Sequence, residues 1–234
     1  MNLSSTAGLG SEPLGSLGIP GGWTEGTQVI GDHYFELLLP ADPDEFLNQL
    51  DKSADAHITD PYWSAIWSAA PVLAECVARH RWPSGTSALE LGCGVGLVGL
   101  AALAAGVSVT FSDYISLAVS LALENARRNG FPAAEGLQLD WRDPPTLKTF
   151  PLVLASDVLY EKRLHGDLLA TLDRVLAVDG ECWIGDPVRS AASSFAKLAR
   201  KRGYDVTIDG DTAGRQPSDN RSNFQLLILR RCPA

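Results

Sequence analysis

The chain has 234 residues, 45% of them apolar, with 19 basic against 28 acidic residues and a net charge of −9. That length suits one large domain, or one domain with a short extension, whose core needs no disulfide or metal staple. The acidic balance argues against a general nucleic-acid binder, which uses clustered Lys and Arg to displace counterions.

Residues 1–26 are rich in Gly, Ser, Leu and Pro without periodicity and read as a flexible leader. Residues 27–39 hold Val29-Ile30 and an apolar run from Tyr34, which predicts one or two strands around Gly31-Asp32. An Asp-Pro-Asp-Glu start predicts a short helix over 42–52. From residue 61 helical and strand-like segments alternate. The spacing of Trp63, Ile66, Trp67, Leu73 and Val77 predicts a helix over 62–80. Strands are expected at 88–91, 107–111, 136–139, 152–156, 181–184, 204–208 and 224–229, and helices at 97–105, 116–129, 165–178 and 191–202. This order predicts an α/β fold. Its form is a doubly wound, Rossmann-like, seven-stranded, mostly parallel sheet whose last strand is antiparallel, because only a polar loop joins the final two strands. The expected division is a leader over 1–26, a strand and helix extension over 27–60, and the α/β domain over 61–234.

The informative stretch is Glu90-Leu91-Gly92-Cys93-Gly94-Val95-Gly96-Leu97-Val98-Gly99. Glycines at a strand-to-helix turn let the backbone bend sharply and approach a ligand. The run also satisfies the dinucleotide pattern G-x-G-x-x-G. Glu90, inside the strand, separates the two readings. A carboxylate repels a pyrophosphate but suits the sulfonium and amino groups of S-adenosylmethionine. Asp113, twenty-three residues after Glu90, ends the next strand, where an acid can bond ribose hydroxyls; capping the following helix is the plainer role for it. Asp140 and Trp141 follow the third strand, where a carboxylate can accept an adenine amine and an indole can cover the base. The nearby Asp143-Pro144-Pro145-Thr146 reads as turn chemistry. Asp157 and Tyr160 leave the fourth strand at its carboxyl end, where ligands of open parallel sheets lie.

These pieces resemble a class I, seven-strand, S-adenosylmethionine-dependent methyltransferase. More narrowly, they are similar to the non-histone protein-lysine methyltransferase and nicotinamide-methylase-like branch. The resemblance rests on Trp67, the glycine turn, Ser112-Asp113, Asn125, Asn129, Leu139-Asp140-Trp141 and the Leu154 to Tyr160 stretch. The Gly185-Asp186-Pro187 turn is similar to turns in bacterial relatives of an enzyme that methylates lysines of an electron-transfer flavoprotein. The resemblance implies a cofactor pocket lined by Trp67, Gly92, Cys93, Gly94, Gly96, Asp113, Trp141 and Ser156. It also implies an acidic-x-x-aromatic motif, Asp157 and Tyr160, facing the acceptor.

The implied reaction is in-line methyl transfer to the amine of a protein lysine, which must first lose its proton. Asp157 would position the amine and take that proton, Tyr160 would orient it, and Trp63 or Tyr160 would attract a methylated ammonium. The alternatives are a small amine or nicotinamide-like acceptor, a nicotinamide-dependent oxidoreductase, and a non-catalytic adenosine-binding module. Cys76, Cys93, Cys182 and Cys232 form no CxxC pair and no zinc-spaced cluster, so free thiols in a reducing compartment are expected. His33, His57, His80 and His165 show no ligand spacing and are expected on the surface or in loops. No metal is called for. Neither a signal-peptide pattern nor a membrane-length apolar run is present, so a cytoplasmic protein without a membrane or nucleic-acid partner is expected.

Overall fold

The computed structural model describes residues 18–19, 21–42, 44–45, 61–209 and 223–232. A hairpin of β1 (Trp23–Ile30) and β2 (His33–Pro40) precedes a 3-10 turn, Pro61–Ser64, and helix α1 (Ala69–Arg79). Then come β3 (Ser87–Leu91), α2 (Leu97–Ala104), β4 (Ser108–Asp113), α3 (Ser116–Arg128), β5 (Glu135–Gln138) and β6 (Phe150–Ser156). The chain continues through α4 (His165–Val175), β7 (Leu176–Asp186), α5 (Ser190–Lys201), β8 (Tyr204–Asp209) and β9 (Gln225–Arg231).

β3 to β9 form one seven-stranded sheet of order β5-β4-β3-β6-β7-β9-β8. Its first five members run parallel, and β9 lies antiparallel between β7 and β8. Alternation along β3 sends Ala88 and Glu90 to one face and Leu89 and Leu91 to the other, as a strand with period two requires. One face packs on α1, α2 and α3, the other on α4 and α5, so both are covered. No helix among the described residues is long and apolar enough to cross a membrane.

Several boundaries differ from the sequence expectations. β1 begins at Trp23, so residues read as the end of a leader pair with β2. The expected helix over 62–80 is broken: only Pro61–Ser64 and Ala69–Arg79 are helical. The apolar spacing of Trp63, Ile66 and Trp67 arises because these side chains line a cavity, not because they share a helix face. The helix expected to reach residue 178 stops at Val175. Leu176 instead pairs with Phe150 beside a bulge, and Asp179-Gly180 lies within a strand rather than a turn. The helix expected over 42–52 lies outside the described residues except at 42, 44 and 45, as do His57 and most of the loop before β9. His165 is buried, not superficial: its Nε2 lies 3.1 Å from the Leu159 carbonyl and its ring meets Phe195 edge-on.

The β1–β2 hairpin does not join the sheet. Two asparagines one helical turn apart on α3 dock it. Asn125 Oδ1 accepts the Leu38 N–H at 2.7 Å, and its Nδ2 donates to the Leu38 carbonyl. The same Nδ2 donates to the Val95 carbonyl at 3.0 Å, within the glycine turn. Asn129 makes the equivalent pair with Glu36 nearer the surface. A fully buried amide therefore ties hairpin, helix and turn together. Asn125→Ala leaves three buried backbone groups unpaired and is expected to cost about 2–4 kcal/mol, against about 1 kcal/mol or less for Asn129→Ala. Urea unfolding of the two variants checks this ranking.

Candidate functional site

At the carboxyl ends of β3, β4 and β6 the sheet opens into a cavity of about 450 Å³. This is where strand order reverses: the chain leaves β3 toward β4 on one side, while β6 lies on the other. Such switch points are where open α/β sheets hold ligands. Every expected site residue lines this cavity except Gly96.

Two acids shape the glycine turn. Glu90 is 2% exposed, and its Oε2 accepts the Gly99 N–H at 3.0 Å. Gly99 is glycine because a Cβ there would lie 2.5 Å from that oxygen and 2.3 Å from the Phe111 ring. Burial pushes the Glu90 carboxyl up to about 8; the Gly99 bond opposes this and the nearby Asp113 adds to it. Asp113 accepts the Gly94 N–H on Oδ2 at 3.2 Å and the Ile115 N–H on Oδ1 at 3.0 Å. It thus bonds the entry to α3, the plainer role foreseen for it, while still lining the cavity. Cys93 is buried inside the turn, and burial raises its thiol well above the usual range, so it is an apolar filler rather than a nucleophile. Gly96 serves packing instead of the cavity. Its φ is 85°, and a Cβ would approach Ala122 Cβ to 2.8 Å.

Trp141 lies beside Gly92, where a glycine Cβ would come within 3.6 Å of the indole. Asp140 departs from expectation. Its carboxylate is held by Arg142, with Nη2 to Oδ2 at 2.6 Å and Nε to Oδ1 at 2.9 Å. The guanidinium lowers its carboxyl below the ordinary value, and any base amine there would share it with Arg142.

Ser156 ends β6 at the cavity wall, and Asp157 follows in a left-handed conformation with φ 60°. Asp157 is buried and doubly engaged, which spacing alone did not reveal. Oδ2 accepts the Ala69 N–H at 3.0 Å and so begins α1, and Oδ1 accepts from Arg189 Nη2 at 3.0 Å. Burial raises its carboxyl above the ordinary value despite the opposing guanidinium. Tyr160 and Trp67 stand at the half-exposed rim with Tyr62. Tyr62 meets Tyr160 edge-on at 5.7 Å and Trp67 at 5.8 Å, and the Trp67 indole donates to the Tyr62 carbonyl at 2.7 Å. Tyr62 and Arg189 are site residues the sequence reading did not single out. The signal for the second was the Gly185-Asp186-Pro187 turn immediately before it.

The donor set selects the ligand. The cavity's basic side chains, Arg142 and Arg163, are each bound to their own acid, Asp140 and Glu161. Neither arginine is left to neutralise a pyrophosphate, whereas Glu90, Asp113 and Asp157 beside a glycine cradle suit an adenosine bearing a cationic tail. Among the described residues no group of three or more His, Cys, Asp or Glu is placed to hold a metal ion.

Comparison with known proteins agrees. A family profile described as lysine methyltransferase matches residues 54–201. The histone-arginine methyltransferase METTL23 of Xenopus laevis is 31% identical over 224 residues, covering 88% of this chain and 94% of its own length. The protein-lysine N-methyltransferase rrg1 of Schizosaccharomyces pombe is 31% identical over 134 residues, 49% of this chain and 43% of its own. The N-methyltransferase NodS from Bradyrhizobium japonicum, solved with S-adenosylhomocysteine, shares the fold with a TM-score of 0.57 at 16% identity, covering 81% of this chain and 99% of that one.

The Glu90 shift has a consequence for stability. The folded state holds its proton up to about pH 8, whereas an ordinary glutamate loses it near 4.5, so between those limits the folded form binds more protons. Stability therefore declines as pH rises through that window, with a slope approaching about 1.4 kcal/mol per pH unit from this group. Glu90→Gln, which keeps an acceptor for Gly99, is expected to flatten the decline. Urea midpoints at pH 5.5 and 8.5 read the difference.

Proposed function

Because the chain belongs to the lysine methyltransferase family and depends on S-adenosylmethionine, we propose that it methylates a cationic side-chain nitrogen of a protein, lysine first. The observation that carries this reading is a buried acid, Asp157, beside an aromatic rim at the mouth of a cofactor-sized cavity. Bound S-adenosylmethionine supplies the activated methyl group. Glu90 would hold its amino-acid end, Asp113 the ribose hydroxyls, and Trp141 with Asp140 the base, while Gly92 and Gly94 would let the backbone come close.

The residues of the chain do the rest. Tyr62, Trp67 and Tyr160 form an aromatic rim at the cavity mouth, against which an acceptor side chain would be aligned and partly shielded from water. Their ring faces favour an ammonium, and more so a methylated one. Desolvation within this rim lowers the pKa of an arriving amine, so that its nitrogen lone pair becomes available. Asp157 orients that nitrogen and accepts its proton on a carboxylate oxygen. The raised carboxyl value brings donor and acceptor closer and makes the transfer easier. The free cysteines Cys76, Cys93, Cys182 and Cys232 suit a reducing cytoplasm.

A second reading, arginine as acceptor, is favoured by the similarity to METTL23, which extends over 88% of this chain. Both acceptors are cationic and fit the same acid. Incubation with labelled S-adenosylmethionine and histone or lysate protein, followed by mass spectrometry of the labelled peptide, distinguishes them. Label confined to small molecules contradicts both. Asp157→Asn retains a side-chain acceptor for Ala69 and tolerates the left-handed backbone. It is expected to lower kcat by about 100-fold or more while S-adenosylhomocysteine affinity changes only a few-fold. Unchanged turnover in that variant would remove Asp157 from the chemistry.

A further inference from the structure

Beside the main cavity lies a smaller one of about 110 Å³, walled by Tyr62, Trp67, Asp157, Tyr160 and Arg189. All of these but Arg189 also line the main cavity, so the two spaces adjoin along the aromatic rim and the Asp157 carboxylate. Arg189 is the cation in this wall. Its Nη2 donates to Asp157 Oδ1 at 3.0 Å, and its Nη1 lies 3.3 Å from Asp186 Oδ2. Its position is built from the backbone outward. Asp186 is fully buried; its Oδ1 accepts the Arg189 N–H at 2.7 Å and the Gln225 side-chain amide at 3.0 Å. Between them Val188 adopts φ 60°, a conformation a β-branched residue rarely takes, so the turn is held by its surroundings.

We propose that Arg189 is a positioning residue for methyl transfer: it keeps Asp157 ionised and fixes which of its lone pairs face the acceptor nitrogen. This rests on the preceding reading, in which Asp157 receives the acceptor. Around Asp157 stand Arg189 and Asp186 at the end of β7, the first N–H of α1, Trp67 and Tyr62 before that helix, and Tyr160 on the loop after β6. Without the guanidinium, a desolvated carboxylate faces one amide, two phenols and a second acid. Under those conditions the carboxyl keeps a proton and can no longer take one from the acceptor. Asp186 acts in the opposite sense on Asp157, because its like charge repels. It also draws the guanidinium toward itself.

The two neighbours therefore have opposite effects, which a merely structural role would not produce. Relative to the wild type, Arg189→Met is expected to move the acid limb of kcat/KM for a peptide acceptor up by about one pH unit, so that the rate on the acid side of that limb falls about tenfold. Asp186→Asn, which retains acceptors for Arg189 and Gln225, is expected to move the limb down. Arg189→Lys restores the charge and returns the limb close to the wild type. S-adenosylhomocysteine affinity stays within about twofold in all three, since Arg189 lies outside the main cavity wall. Carbon-13 carboxyl titration of Asp157 in the cofactor-free protein must show the same order without any turnover. Limbs and titrations that coincide in wild type, Arg189→Met and Asp186→Asn overturn the proposal. If Arg189→Met does not fold, an unmoved Asp186→Asn limb overturns it alone. A wild type that binds S-adenosylhomocysteine but methylates no protein overturns the earlier reading instead, and the carboxyl titrations then still decide the charge coupling.

Discussion

Two buried carboxylates anchor the backbone between β3 and α2. Glu90 takes the Gly99 N–H and Asp113 the Gly94 N–H, so the glycine turn is clamped from both sides. An acid at 2% exposure is costly, and an apolar residue would fill the same space at less cost. The chain accommodates Glu90 by holding its proton to about pH 8, which leaves a neutral hydrogen-bonding acid at the base of the cavity. Such a group is poised to ionise when a cation arrives. Strongly shifted acids in a cleft are where function is sought first, and this one lies beneath the switch point between β3 and β6, where the parallel strand order reverses.

The rest of the molecule holds that clamp in place. Asn125 bonds the Val95 carbonyl in the turn and both backbone groups of Leu38 in the hairpin, so the N-terminal ribbon braces the glycine turn from outside the sheet. On the opposite side Asp157 begins α1 through the Ala69 N–H and pairs with Arg189 from the end of β7. Three separate chain segments thereby meet at one carboxylate. The Asp157 side of the cavity is assembled by tertiary contacts, whereas the Glu90 side is largely made by one strand–turn–helix unit.

That difference explains what could be read from the residues. Glu90, the glycines and Asp113 follow each other at spacings imposed by a βαβ unit, so the parallel sheet and the wall of the cavity at its glycine turn are legible. The antiparallel β9 was legible too, since only a polar loop precedes it. The helix expected over 62–80 was misread because cavity-lining aromatics mimic helical periodicity, and the end of α4 because Asp179-Gly180 resembles a turn while forming part of a bulged strand. Arg142 holds the Asp140 carboxylate, a pairing that the residue order alone does not require. The Gly185-Asp186-Pro187 turn marks the neighbourhood of Arg189, but its pairing with Asp157 across 32 residues of sequence is encoded by no local pattern. The burial of His165 was equally invisible, resting on Phe195 from another helix.

In the proposed function Glu90 is the counter-ion to a cationic ligand tail. Calorimetric binding of S-adenosylhomocysteine at pH 7, in buffers of different ionisation heat, measures this directly by counting protons. Ionisation of an acid that titrates near pH 8 should release close to one proton per ligand bound, and 5′-methylthioadenosine, which lacks the amino-acid end, should release almost none. Equal proton release for the two ligands, or none for either, would contradict it.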